Sequence, residues 1–121
     1  NEIRKVFIES DIVLHVESFE DSDCKFTRLS FSTKITDYIE SGSCIIAIGS
    51  IKNASINYLM NTNAALVCTD KEKIIDLFSK IIKDKNIILT YTKKMKEFAM
   101  KNLNKEKIRN NLMKDLFSLK I

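Results

Sequence analysis

The sequence predicts an α/β fold, a three-layer Rossmann-like half-domain with a short parallel sheet and C-terminal helices. Three observations point to it. Short β-branched runs alternate with segments of helical spacing, Cys44-Ile45-Ile46-Ala47-Ile48 is apolar throughout, and everything after Thr69 reads as helix. A continuous apolar run is what a parallel strand covered on both faces requires. The chain of 121 residues suits a single domain over residues 1–121.

The elements follow in order. Ile3, Val6 and Phe7 share a helical stripe over residues 2–9, and Ser10-Asp11 then introduces a buried strand built from Ile12, Val13, Leu14 and Val16. A polar, acidic stretch runs from Glu17 to Lys25. Residues 33–41 return to helical spacing through Ile35, Tyr38 and Ile39, and Ser41-Gly42-Ser43 ends them with a glycine available for a left-handed cap. After the strand at 44–48, Asn53 to Met60 reads as a short helix with Ile56, Leu59 and Met60 inward, and Ala64 to Cys68 as a short strand. Thr69-Asp70-Lys71-Glu72 has the form of a capping box opening a helix to about Lys83, with Ile74, Phe78, Ile81 and Ile82 as its stripe. Residues 86–102 mix β composition (Ile87 to Thr92) with a helical stripe (Met95, Phe98, Ala99), and helix is the expectation. A last amphipathic helix is expected from near Asn104, using Ile108, Leu112, Leu116 and Leu119. Crossovers of this length imply right-handed parallel pairing of three strands. Three strands make half of a doubly wound sheet, with an edge that something else covers, so self-association of the isolated chain is expected.

Composition excludes several classes. With 45% hydrophobic and 30% charged residues the chain is neither disordered nor collagenous, and no apolar run approaches the ~18–20 residues of a bilayer span. No secretion signal is visible. Cys24, Cys44 and Cys68 are odd in number and have only His15 for company, which indicates neither a disulfide framework nor a zinc site. A reducing, cytoplasmic setting and no cofactor are expected. Charge is uneven, −3 over residues 1–60 and +7 over residues 61–121. The lysines of the second half interleave with acids at helical spacing, as a solvated helix face does, and the arginine–aromatic interleaving of a nucleic-acid platform is missing.

In open parallel sheets, ligands sit beyond the C-terminal ends of the strands, where helix N-termini turn unpaired N–H groups outward. The loops from Glu17 to Phe31, from Gly49 to Asn53 and at Thr69-Asp70 occupy that position. The first leads into Ser30-Phe31-Ser32-Thr33-Lys34, where hydroxyls, backbone N–H groups and a lysine suit phosphate oxygens, although Ser and Thr are also ordinary N-caps. Asp37 suits a ribose diol, or equally the positive end of the helix dipole. His15 reads as a core histidine, and Glu17, Glu20, Asp21 and Asp23 as solvated loop acids without the ligand pattern of a calcium loop. The cysteines have no paired base nearby in sequence, and Asn53-Ala54-Ser55 is a chance sequon in a cytosolic chain. No catalytic residue and no metal ligand is assigned.

Ser10-Asp11-Ile12-Val13-Leu14-His15-Val16-Glu17-Ser18-Phe19, followed by Phe31-Ser32-Thr33-Lys34 and a helix ending Ser41-Gly42-Ser43-Cys44, resembles the C-terminal domain of bacterial glycosyltransferases of the two-Rossmann-domain (GT-B) class. It is similar to members of family 4, or group 1, over roughly residues 10–118, and Asn57-Tyr58-Leu59 before Ala64-Ala65-Leu66-Val67 fits as well. The resemblance implies transfer of a sugar from a nucleotide-diphosphate sugar to an acceptor hydroxyl, in bacterial surface polysaccharide synthesis. It implies donor nucleotide and diphosphate contacts at Glu17, Ser18, Phe19, Ser30, Ser32, Thr33, Lys34 and Asp37, with Asp37 at the second glutamate of the family's paired-glutamate motif. The first glutamate falls at Leu29, and the proline after the glycine is Cys44. The acceptor domain, and the strands that carry the family's diphosphate-binding Arg and Lys, would precede Asn1. The expectation is therefore an inactive fragment of a cytoplasmic parent enzyme that makes peripheral membrane contact. The alternative is a non-catalytic α/β interaction module with a basic helical face.

Overall fold

The computed structural model describes residues 2–20 and 34–118, with the side chains of the last helix described as far as residue 102. In chain order the elements are α1 (Glu2–Glu9), β1 (Ile12–Val16), α2 (Lys34–Ser41), β2 (Cys44–Ile48), α3 (Ala54–Asn61), β3 (Leu66–Cys68), a single 3₁₀ turn (Lys71–Lys73), α4 (Ile74–Lys83) and α5 (Asn86–Ser118). The strands form one parallel sheet in the order β1-β2-β3. Ile12 pairs with Cys44 and Val16 with Ile48, while Ile46 pairs with Leu66 and Ile48 with Cys68. This is the expected α/β half-sheet.

Period-two alternation divides the strand residues between two apolar layers. On one face Val13, Ile45 and Ala47 meet Ile35, Tyr38 and Ile39 of α2, Ile56 and Leu59 of α3, and Met95 of α5. On the other, Cys44, Ile46, Ile48 and Cys68 meet Ile81, with Ile74, Leu77 and Phe78 of α4 and Ile87, Ile88 and Tyr91 of α5 around them. All five residues of β2 are buried, as its unbroken apolar run requires.

β1 departs from the expected fully buried strand. Val13 and His15 are buried, but Leu14 is 50% and Val16 61% exposed, because β1 is an edge and the second helical layer stands over β2 and β3. Other corrections have the same character. Met60 is exposed, since the buried face of α3 centres on Ser55, Ile56 and Leu59 and Met60 sits about 90° round the helix from it. Ile82 is exposed for the same reason, and Leu77 takes its place against the sheet. Asp70, one residue later than expected, is the cap after β3, accepting from the Glu72 N–H at 3.0 Å ahead of the 3₁₀ turn. The segment 86–118 is one helix of 33 residues rather than two. Thr90 and Thr92 turn their hydroxyls back to the carbonyls of Asn86 and Ile88, which accommodates their β-branched composition within the helix. Helix α5 lies alongside the starts of β2 and β3, where its residues share clefts with Gly42, Ser43, Asn63 and Ala64.

Gly42 closes α2 as expected. Its φ of +69° is left-handed, its N–H reaches the Ile39 carbonyl at 3.1 Å, and the Lys96 stem packs where a Cβ would lie.

Candidate functional site

At the C-terminal lip of the sheet the strand ends and the loops that leave them are tied to one another. The Glu17 N–H extends the ladder to the Ile48 carbonyl at 2.8 Å, and the Gly49 N–H bonds the Cys68 carbonyl at 3.1 Å. Gly49 is needed here for space rather than for its dihedral angles. A Cβ on it would stand 2.9 Å from Glu17 Cβ, 3.1 Å from the Glu17 carbonyl oxygen and 3.1 Å from Ile56 Cγ1. Gly49 thus sits between Glu17 and Ile56 in the first turn of α3.

Glu17 is held by its side chain as well. Oε1 lies 3.1 Å from Nε2 of His15, whose side chain is 7% exposed against 24% for Glu17. The carboxylate stands off the N–H axis, and Nε2 has no aligned hydrogen-bond partner among the described residues. The Tyr38 ring meets the imidazole edge-on at 5.7 Å. Burial lowers the His15 pKa from its ordinary value, Glu17 opposes that shift, and Lys34 adds to it. Burial raises the Tyr38 pKa, helped by the negative charges of Glu17 and Asp37. The charges of Glu17, just beyond β1, and of Lys34 and Asp37, in the first turn of α2, thus act on this pair of rings.

Of the residues expected to meet a nucleotide, Glu17 lies against His15, and the His15–Tyr38 contact packs the helix that carries Lys34 and Asp37 beside it. Ser18 receives the Glu20 N–H on its Oγ at 3.0 Å, in the turn leaving β1. Phe19 packs, partly buried, against the second-face core. Ser30, Ser32 and Thr33 lie outside the described residues. Glu20 and Lys71 approach to 3.7 Å, linking the exit of β1 to the turn after β3 across the lip.

Three participants were not singled out as site residues from the sequence. His15 is paired with a carboxylate as well as buried, and the signal was His-x-Glu at a strand end, since residues two apart share a face. Tyr38 is the second. The third is Asn53, which is 2% exposed and caps α3 by accepting from the N–H groups of Ser55 and Ile56 at 2.9 and 3.2 Å. An amide buried in that role is unavailable to glycosylation in the folded chain, so the Asn53-Ala54-Ser55 sequon is structural.

The remaining chemistry-bearing residues are occupied elsewhere. Cys44 is fully buried and its thiol is pushed up to about 11, so it is inert at neutral pH. The Cys68 thiol lies 3.1 Å from the Asp70 carbonyl oxygen. No group of three His, Cys, Asp or Glu among the described residues has the arrangement of a metal site. A cleft of about 460 Å³ opens at the opposite pole between Asp11, Gly42, Lys85, Ile88 and Lys96. Strand starts and the first turns of α5 line it, whereas ligands of open parallel sheets sit beyond the strand ends, at the lip. No helix among the described residues is long and apolar enough to cross a membrane.

No protein-family model, curated protein or solved structure matches the chain.

Proposed function

We propose that the chain is the C-terminal, donor-binding part of a GT-B glycosyltransferase that uses a nucleotide-diphosphate sugar, within the synthesis of a bacterial surface polysaccharide. The observation that carries this reading is the contact of Tyr38 with His15 at 5.7 Å, which packs α2, with Lys34 and Asp37 in its first turn, beside Glu17 at the C-terminal lip of a parallel sheet. The phrase Phe31-Ser32-Thr33-Lys34 ahead of a helix capped at Gly42 supports it from the sequence side.

In this reaction the bond from the anomeric carbon to the phosphate oxygen breaks and a bond to the acceptor oxygen forms. The electron pair leaves with the diphosphate, and the acceptor hydroxyl gives up its proton. The start of α2 supplies backbone N–H groups, a helix dipole and the Lys34 ammonium for the departing charge. Asp37 offers carboxylate oxygens to the ribose diol. The acceptor, and the group that takes its proton, belong to the remainder of the parent enzyme, which also provides its peripheral contact with the membrane.

The test is binding of UDP or GDP to the 121-residue chain, followed by backbone amide shifts. Millimolar-range affinity, with shifts at Ser30 to Lys34 and Glu17 to Phe19 and much weaker binding of the uncharged nucleoside, is expected from dipole interactions of ~0.3–1 kcal/mol per charge. The second reading is an anion-binding module, favoured by the exposure of Lys93, Lys94, Lys96 and Lys101 along α5. Shifts confined to those lysines, and lost in salt, select it.

A further inference from the structure

We propose that His15 is the positioning residue of Glu17: its Nε2 lies 3.1 Å from the carboxylate without an aligned hydrogen bond, protonation of the imidazole draws the carboxylate to it, and the pair meets a bound ligand as one ionisable unit. The identity of the ligand rests on the nucleotide-diphosphate reading above. The pair itself rests on geometry.

His15 is 6% exposed and flanked by Val13 on its own strand, by its register partner Ala47 on β2, and by the Tyr38 ring. An imidazole so enclosed does not reach a ligand. Glu17 does, being partly exposed, with its backbone clamped to Ile48 and pressed on Gly49. A histidine that only fills space has apolar neighbours or a backbone carbonyl at its nitrogens. This one has a carboxylate that stands at the ligand-binding end of the sheet. The other charged or titratable groups acting here come from α2 and are Lys34, Asp37 and Tyr38, while Ala47 brings no charge.

The consequence concerns charge. With His15 neutral the pair presents one negative charge, which opposes a diphosphate arriving at the start of α2. With His15 protonated the pair is neutral and that opposition disappears. Diphosphate binding is therefore strengthened by proton uptake at a residue the ligand never touches.

His15 is the chain's single histidine, so one imidazole resonance reports on it without assignment ambiguity. The experiment titrates that resonance by NMR in the wild-type chain and in Glu17→Gln, and measures UDP affinity of the wild type and of His15→Gln between about pH 5 and pH 8, the range where imidazole charge changes. The ratio of the two affinities cancels the titration of the ligand's own phosphate. The imidazole pKa is expected to fall in Glu17→Gln, because a favourable charge is lost. The affinity ratio is expected to move about three- to tenfold in favour of the wild type as the pH drops, the scale of one charge at close range near a protein surface. An imidazole that titrates identically in Glu17→Gln, or a ratio flat with pH, overturns the proposal. If UDP shifts no amide in the wild type at any pH, the nucleotide reading fails and the imidazole shift alone decides the pair. Should His15→Gln not fold, Glu17→Gln serves in both arms: it keeps the imidazole charge but lowers its pKa, so the pH at which UDP binding strengthens is expected to move down together with the imidazole resonance, and a binding profile unmoved from the wild type overturns the proposal.

Discussion

Gly49 and Glu17 are in contact so close that a single added methyl group on the former would stand 2.9 Å from the Cβ of the latter. The neighbours on that side include the Glu17 carbonyl oxygen, which is backbone and cannot rotate away. Gly49→Ala is therefore expected to cost about 1–3 kcal/mol through overpacking. Urea denaturation measures it, and an unchanged midpoint would mean the β1 exit moves freely.

The buried Cys44 thiol yields a reactivity and a stability expectation together. Its pKa of about 11 in the fold exceeds the ordinary thiol value of 9.0, so the unfolded chain loses this proton first as pH rises. The wild type is therefore expected to lose stability between about pH 9 and pH 11 by an amount that Cys44→Ala, which has no thiol to titrate, does not lose, while the difference between the two stays constant below that window. Denaturation curves across the window check the sign. At pH 8 Cys44 is also expected to resist alkylation in the native chain and react on unfolding.

His15 titrates in the opposite direction. Its pKa is lowered in the fold, so the unfolded chain takes up the proton first as pH falls. The associated stability is present above about 6.5, the ordinary imidazole value, and is lost on acidification toward the lower native pKa. Melting temperatures at a series of pH values, compared between wild type and His15→Gln, should show a larger acid-side loss below about pH 6.5 in the wild type.

Catalysis by the chain alone is not expected, because the acceptor side and the expected diphosphate-binding Arg and Lys belong to the proposed parent. Turnover of a UDP-sugar or GDP-sugar above a blank, abolished by Asp37→Ala, would overturn the reading of an inactive donor-binding part. In binding, Asp37→Asn should reduce the preference for ribose over deoxyribose, since a carboxylate accepts from both diol hydroxyls and an amide offers one acceptor oxygen.

The open side of β1 leads to an expectation about assembly. Leu14 and Val16 are 50% and 61% exposed on an edge strand, an arrangement that favours pairing or exchange with a second chain. Light scattering at high micromolar concentration should show self-association. A strictly monomeric, cooperatively unfolding species counts against it, and Val16→Lys should weaken association where it occurs.

The order and type of the elements were legible in the residues alone, because periodicity and end signals are local. Five adjacent apolar residues in β2 specify a covered strand, and Gly42 after Ser41 specifies where α2 stops. Even the ambiguous segment from Ile87 was readable as helix from the stripe that follows it. Which side of each element is buried was decided by the tertiary structure, since a stripe of three or four apolar residues leaves the facing direction uncertain by about one residue in a 3.6-residue turn. That is why Met60 and Ile82 turn outward and Leu77 turns in. The half-open state of β1 depends on how far the helices of the second layer extend across the sheet, a quantity absent from the run Ile12 to Val16 itself. The site divides in the same way. Glu17, Lys34 and Asp37 were legible as residues at strand exits and helix starts, but the pairing of Glu17 with a buried histidine depends on Tyr38 and Ala47 closing over the imidazole. Those neighbours lie more than 20 positions along the chain, and only folding brings them to His15.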